Sequence, residues 1–403
     1  MSKQNSGVPP VLDFEMRGGT NPDPDLDTIE RSIAEQTMNR FINIPAWTEL
    51  GLKRGYNFLH TLTFYMSRNP EIVKLLYKTK PYPQYLEVEV TQKCDLRCVM
   101  CEHTYWDEAD EELSYDNLVK IIDQFPNLKW VGINALGDPF TNKDFFKMLK
   151  YADDRNIIQE LYTMAATIDK EQITQLLDLK GLVFLKFSLD AATRETYEKI
   201  RVGASFDKVI ENIKEVDRQK KLRGRYFPEL QFHFIIMKQN IHEAEQFLDM
   251  IAGLNIRATT VMYSRLLHNY PEVSENTYCD IPDDLVQRLV KKGQDLGIGV
   301  SVNADVGDNK PPANECMTWQ MPYIFADGTV IQCCNMNEQN RRRWQRDNSM
   351  GNIFKTPFRE IWNNDKYTKL RDNLWNCKPK DACETCKVCN IYNIDKLSNI
   401  RGV

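Results

Sequence analysis

The feature that most restricts the fold is a regular alternation of short apolar runs and amphipathic segments, which starts after Pro81 and Pro83 and continues to about residue 263. Residues 85–91, 130–134, 159–163, 182–189, 230–237 and 258–263 read as strands, being rich in β-branched and aromatic residues and bounded by polar punctuation. Between and after them, residues 115–124, 143–155, 170–178, 194–199, 206–220 and 241–254 carry apolar residues at helical spacing. Strands joined through helices cannot pair as hairpins. The crossovers impose a parallel sheet, and the groups that do chemistry then collect at the strands' C-terminal ends. Six units are too few for a closed eight-unit cylinder, so the expected class is α/β: a partial (β/α)6 TIM-type barrel, open on one side.

The flanks differ in character. Residues 1–84 form a polar leader punctuated by Pro9, Pro10, Pro22 and Pro24, then two helical stretches between 46 and 80 separated at Asn69-Pro70. These helices are expected to pack on the core rather than on lipid. Residues 85–300 make up the barrel, with a last helix at 283–296, and residues 301–403 a small cysteine-rich domain. The longest apolar runs, 181–187 and 232–237, fall far short of the ~20 residues a membrane-spanning helix needs. The N-terminal residues show no apolar core of a secretory signal, so the expected location is the cytoplasm. With 52 basic against 57 acidic residues and no basic stripe interleaved with aromatics, a nucleic-acid partner is not expected.

Eleven cysteines are many for such a chain. A reducing compartment disfavours disulfides, which leaves metal or cluster ligation. Cys94, Cys98 and Cys101 form one group, and Cys316, Cys333, Cys334, Cys377, Cys383, Cys386 and Cys389 a second. Cys279 stands apart and is expected to pack as a small hydrophobe. Cys94-x3-Cys98-x2-Cys101 follows the first strand, where three thiolates can wrap one face of a cluster and leave one coordination position without a protein ligand. A structural zinc site would instead close with a fourth ligand, for which His103 is at hand.

Placed after a strand, the segment CDLRCVMC resembles the cluster loop of radical S-adenosylmethionine (SAM) enzymes, and the resemblance extends over roughly residues 85–265. It implies a 4Fe-4S cluster on Cys94, Cys98 and Cys101 that binds SAM, and reductive formation of a 5′-deoxyadenosyl radical that removes hydrogen from a substrate. By the same resemblance Gly137 and Asp138, in Leu136-Gly137-Asp138-Pro139, receive the SAM amino group, with aspartate in place of the family's glutamate. Thr163 opens a Thr-Met-Ala turn where relatives carry Thr-Asn-Gly. Ser188 and Asp190 match a Ser-Leu-Asp motif directed at the ribose or methionine portion of SAM, and Arg201 is the candidate for its carboxylate. Met100 is suited to packing on the adenine or, equally, in the core.

The C-terminal cysteines resemble the SPASM or shorter twitch extension of such enzymes, which implies an auxiliary 4Fe-4S cluster. One cluster is expected, on Cys316, Cys333, Cys383 and Cys386, with Cys334, Cys389 or Cys377 as substitutes. A hairpin across Asp327-Gly328, between 322–325 and 330–332, should carry the first of these, in a domain capping the barrel mouth. The substrate is a peptide, a protein, or a sugar or lipid intermediate, and the electron donor a flavodoxin or ferredoxin. Two other classes remain open at this point: an iron-sulfur electron carrier without SAM chemistry, and a zinc-stabilised binding protein.

Overall fold

The computed structural model describes residues 45–64, 70–106, 108–134, 136–265, 271–277, 279, 281–303, 316, 318–339, 341–376 and 386. Strands β1 (Tyr85–Glu89), β2 (Trp130–Asn134), β3 (Ile158–Thr163), β4 (Leu182–Ser188), β5 (Glu229–Ile236) and β6 (Ala258–Arg265) pair in that order, all parallel. These are the six expected units, and the sheet then continues. Gly299–Asn303 adds a seventh parallel strand, β7, paired to β6, so the division expected near residue 300 falls at the start of a barrel strand.

The sheet presents two unlike faces. One side, including Leu86, Val88, Val131, Ile133, Leu161, Leu185, Phe187, Phe232 and Val261, is wholly buried under the crossover helices, in a single core. On the other side Glu87, Tyr162, Phe184, Ser188, His233, Met262 and Ser264 are only partly covered. Period-two alternation aims these side chains away from the helical layer, into the lumen of an open barrel.

The two N-terminal helices are α1 (Pro45–Phe64), kinked at Gly51, and α2 (Pro70–Thr79). Helix α1 closes the barrel at the strands' N-terminal end: Phe58 stacks on Trp130 at 5.5 Å and meets Phe184 and Phe227 at 6.0 and 5.9 Å. Its polar groups cap the chain turns there. Asn57 Nδ2 donates to the Asn156 carbonyl at 2.9 Å, and Glu49 accepts from Arg225 Nε and the Tyr226 amide, each at 2.7 Å. The expectation that these helices pack on the core holds, and no described helix is long and apolar enough to cross a membrane.

Among the described residues the C-terminal region is joined to the barrel's own sheet. Its hairpin, β8 (Tyr323–Ile324) and β9 (Thr329–Ile331), joins the same sheet, β8 running parallel to β1 with Glu87 opposite Tyr323 and Val88 opposite Ile324. Gly351–Asn352 (β10) completes a ten-stranded sheet in the order β10-β9-β8-β1-β2-β3-β4-β5-β6-β7. The β1 edge, which would otherwise expose unpaired backbone groups, is thereby covered.

Candidate active site

The cluster loop leaves β1 at Val90 and is held on two sides. Arg97–Cys98 forms a short antiparallel ladder with Arg201–Val202, and the Val99 amide donates to the Ile200 carbonyl at 2.9 Å. Cys94, Cys98 and Cys101 thereby join a cluster with Leu96, Met100, Ile200, Met237 and Val273. Met100, 5% exposed, packs within this wall. The Leu96 amide donates to Cys94 Sγ at 3.4 Å, and Arg201 Nη1 lies 3.9 Å from Cys98 Sγ.

Burial pushes the Cys94 thiol up to about 11 and raises Cys98 and Cys101 as well. Three desolvated thiols in one wall are poor acids alone and good ligands once a cation replaces their protons. Soft sulfur donors with facing backbone amides suit an iron-sulfur cluster, so the residues present fit the group. His103 is turned elsewhere, with Nε2 2.7 Å from Asp110 Oδ1. No three His, Cys, Asp or Glu side chains among the described residues converge on a point that would hold a single metal ion.

Gly137 and Asp138 lie directly against the start of the cluster loop. The Gly137 amide donates to the Thr91 carbonyl at 3.3 Å and the Asp138 amide to the Lys93 carbonyl at 2.8 Å. A Cβ on residue 137 would stand 1.9 Å from the Lys93 carbonyl oxygen, so glycine is required for this approach. The Asp138 carboxylate is buried, accepts from the Phe140 amide at 3.1 Å and Thr167 Oγ1 at 2.8 Å, and is raised by its desolvation.

The other expected SAM contacts are distributed differently. Thr163 Oγ1 accepts from the Ala165 amide at 2.9 Å and turns the chain into the left-handed conformation of Ala165 (φ 55°). Ser188 faces the lumen at the end of β4, partly exposed. Asp190 is fully buried: Oδ1 accepts from the Ile235 amide at 2.6 Å and Oδ2 is paired with Arg201 Nη2. Asp190 and Arg201 thus neutralise each other behind Cys98, and Arg201 Nε is buried with no partner among the described residues.

Of the second cysteine group, Cys316 and Cys333 are buried on either side of the β8–β9 hairpin. Cys334 opens the helix Cys334–Gln339, and Cys386 packs against the main core. The Cys316 carbonyl accepts from Tyr77 Oη at 2.9 Å, which ties α2 beneath this module. Cys377, Cys383 and Cys389 lie outside the described residues. Cys279 packs partly buried against the core.

Sequence reasoning missed the polar groups of the lumen. Lys186 Nζ lies 3.0 Å from Glu160 Oε2 and 3.4 Å from Tyr162 Oη, and Tyr85 Oη donates to Glu160 Oε1 at 2.7 Å. His233 Nε2 is 2.7 Å from Ser264 Oγ. Their signal was present as a lysine inside the otherwise apolar run of β4, in phase with Ser188. Tyr263, on β6, points the opposite way and donates to the Ala244 carbonyl at 2.7 Å.

Comparison with known proteins agrees with this geometry. The radical SAM superfamily profile matches residues 88–251 and the SPASM iron-sulfur cluster-binding domain matches residues 316–390. The tungsten-containing aldehyde ferredoxin oxidoreductase cofactor-modifying protein of Pyrococcus furiosus is 24% identical over 337 residues, covering 75% of this chain and 90% of the relative. The AdoMet-dependent heme synthase of Methanosarcina barkeri is 23% identical over 336 residues, 76% and 91% of the two chains. In fold, SuiB of Streptococcus suis bound to S-adenosylmethionine superposes with a TM-score of 0.59 at 14% identity, covering 90% of this chain and 83% of that one. The chain belongs to the radical SAM superfamily: it is a radical SAM enzyme with a C-terminal SPASM domain, served by a SAM-binding 4Fe-4S cluster and an auxiliary iron-sulfur cluster.

Proposed function

We propose that the enzyme abstracts hydrogen from a polar organic substrate held in the lumen, with Cys94, Cys98 and Cys101 ligating the SAM cluster. The observation that carries this reading is the packing of Cys94, Cys98 and Cys101 in one wall, with Gly137 at backbone contact with Lys93, the residue that leads into it. When bound, the cluster supplies the electron that cleaves SAM to the hydrogen-abstracting 5′-deoxyadenosyl radical.

The chain's own residues then position and shield. Gly137 and Asp138 hold the amino end of SAM, Ser188 and Thr163 border its ribose, and Met100 closes the apolar side. Asp190 fixes Arg201 behind Cys98, so this pair orients the loop and leaves Arg201 Nε to reach the SAM carboxylate. The plug of Phe58, Trp130 and Phe184 keeps water from entering through the far end.

The cluster domain begins after Asn303 and holds one auxiliary 4Fe-4S cluster on Cys316, Cys333, Cys383 and Cys386, with Cys334, Cys389 or Cys377 able to substitute. A flavodoxin or ferredoxin supplies electrons. Relatives named for modifying a cofactor and making heme, and the SuiB structure solved with its precursor peptide SuiA, support a polar substrate of either kind.

The test is anaerobic reconstitution of the wild type and of Cys94→Ala/Cys98→Ala/Cys101→Ala. The wild type forms 5′-deoxyadenosine under strong reduction, and the variant forms none while keeping the C-terminal iron. Iron-loaded wild type that never cleaves SAM would leave only an electron carrier. Deuterium transfer from labelled candidates into 5′-deoxyadenosine identifies the substrate.

A further inference from the structure

We infer that Lys186 and Tyr162 are the substrate-anchoring donor pair of the lumen, and that the group they take is the uncharged carbonyl oxygen of an amide rather than a carboxylate. This rests on the lumen being the reaction chamber, as read above.

The pair is placed for it. Tyr162 and Lys186 are opposite each other on β3 and β4, and Ser188 follows two residues on, on the same face. That spacing is about 7 Å along a strand, the depth of one substrate group below the SAM-binding rim.

The hydrogen-bond count leaves donors over. An ammonium has three N–H donors and no acceptor. Glu160 Oε2 lies 3.0 Å away as an ion-pair partner, outside hydrogen-bond geometry, and Tyr162 Oη accepts one N–H at 3.4 Å. Because lysine can only donate, the phenol oxygen accepts, and its own hydrogen stays uncommitted. At least one N–H and one O–H, on atoms 3.4 Å apart, therefore have no acceptor among the described residues. Two convergent donors define a place for one oxygen atom.

Charge decides which oxygen. Glu160 already compensates Lys186, as Asp190 does Arg201 and Glu89 does Arg342. Glu87 adds another carboxylate to the same face, with Oε1 3.4 Å from Tyr85 Oη. At this pair an incoming carboxylate would meet a lysine already compensated by Glu160, with Glu87 on the same face, whereas a neutral oxygen gains the two hydrogen bonds without that repulsion. On the neighbouring strand β2, Asn134 Oδ1 is buried with no partner among the described residues. An acceptor beside two donors matches the N–H and C=O of one amide.

The experiment uses reconstituted, reduced holoenzyme with SAM and a matched pair of probes, propionamide and propionate, followed by the paramagnetic broadening of the probe's methyl protons. Propionamide should broaden saturably and propionate should not. Tyr162→Phe, which keeps the ring, should weaken propionamide by about tenfold, as for the loss of one hydrogen bond. Lys186→Met/Glu160→Gln, which removes both charges together, should abolish saturation. Equal or stronger broadening of propionate, unchanged affinity in Tyr162→Phe, or no saturable broadening in the wild type would each overturn the assignment. The electron paramagnetic resonance signal of the same reduced sample is recorded first. Its absence would count against the iron-sulfur reading and not against the pair.

Discussion

At the residue scale, the site depends on small tolerances. Gly137→Ala would drive a methyl group into the Lys93 carbonyl, so the cluster loop or the β2 exit must move. We expect a loss of at least about 2 kcal/mol in stability from overpacking against backbone, together with lost SAM binding, read by calorimetry. His233 makes a different prediction. Burial pushes its imidazole down to about 4 from 6.5, opposed by Asp190 and assisted by Arg201 and Lys186. The unfolded chain takes up this proton as the pH falls through 6.5, whereas the folded chain resists until about 4, so acid favours unfolding across that window. The contribution is fully present above pH 6.5 and lost by pH 4, about 3 kcal/mol in all. The wild type should therefore lose stability relative to His233→Gln, by urea denaturation, as the pH drops from 6.5 to 4. Parallel profiles would refute the assignment. The cysteine loop stands out in the sequence because its three thiols lie within eight residues at fixed spacing. The Asp190–Arg201 pair could not, since each residue alone looks available to a ligand and only folding puts one carboxylate on the other's guanidinium.

At the scale of elements, the six β/α units were legible because apolar periodicity changes from two to 3.6 at each junction. Strand β7 was not: Gly299–Asn303 offers five residues, with Ser301 and Asn303 among them, and its pairing with β6 is what makes it a strand. The docking of the C-terminal module was equally hidden, because its partners are far apart in sequence. Arg342 Nη2 pairs with Glu89 Oε2 at 2.5 Å, both buried, and its guanidinium lies 3.6 Å above the Phe325 ring. On the helix Arg342–Asp347, Arg346 also reaches Glu108, Glu111 and Asp327. Glu89 in turn accepts from Gln92 Nε2 at 2.9 Å, and the Gln92 amide donates to the Glu111 carbonyl, also at 2.9 Å. The arginines thus hold both flanks of the cluster loop. Arg342→Met would leave Glu89 buried and unpaired, at a cost of about 3–5 kcal/mol, and Glu89→Gln/Arg342→Met should recover part of it. Hydrogen exchange should quicken at the Gln92 and Leu113 amides as well as in the C-terminal module. A response confined to the module would contradict the coupling.

At the scale of the whole molecule, a single sheet carries both cysteine regions. The strand that delivers the SAM-cluster loop, β1, is flanked on one side by the barrel and on the other by the hairpin beside Cys316 and Cys333. The two regions are therefore positioned by one rigid element rather than by a linker. The aromatic plug closes one end of the lumen, and the cysteine loop lies at the other. All of this has catalytic meaning only if the three-thiolate cluster keeps an iron open to SAM. Electron-nuclear double resonance of the reduced enzyme with SAM carrying ¹⁵N in its amino group measures this directly. The account predicts a ¹⁵N coupling to the cluster that is present in the wild type and absent from Cys94→Ala/Cys98→Ala/Cys101→Ala. A reduced, fully iron-loaded wild type with no such coupling would contradict it.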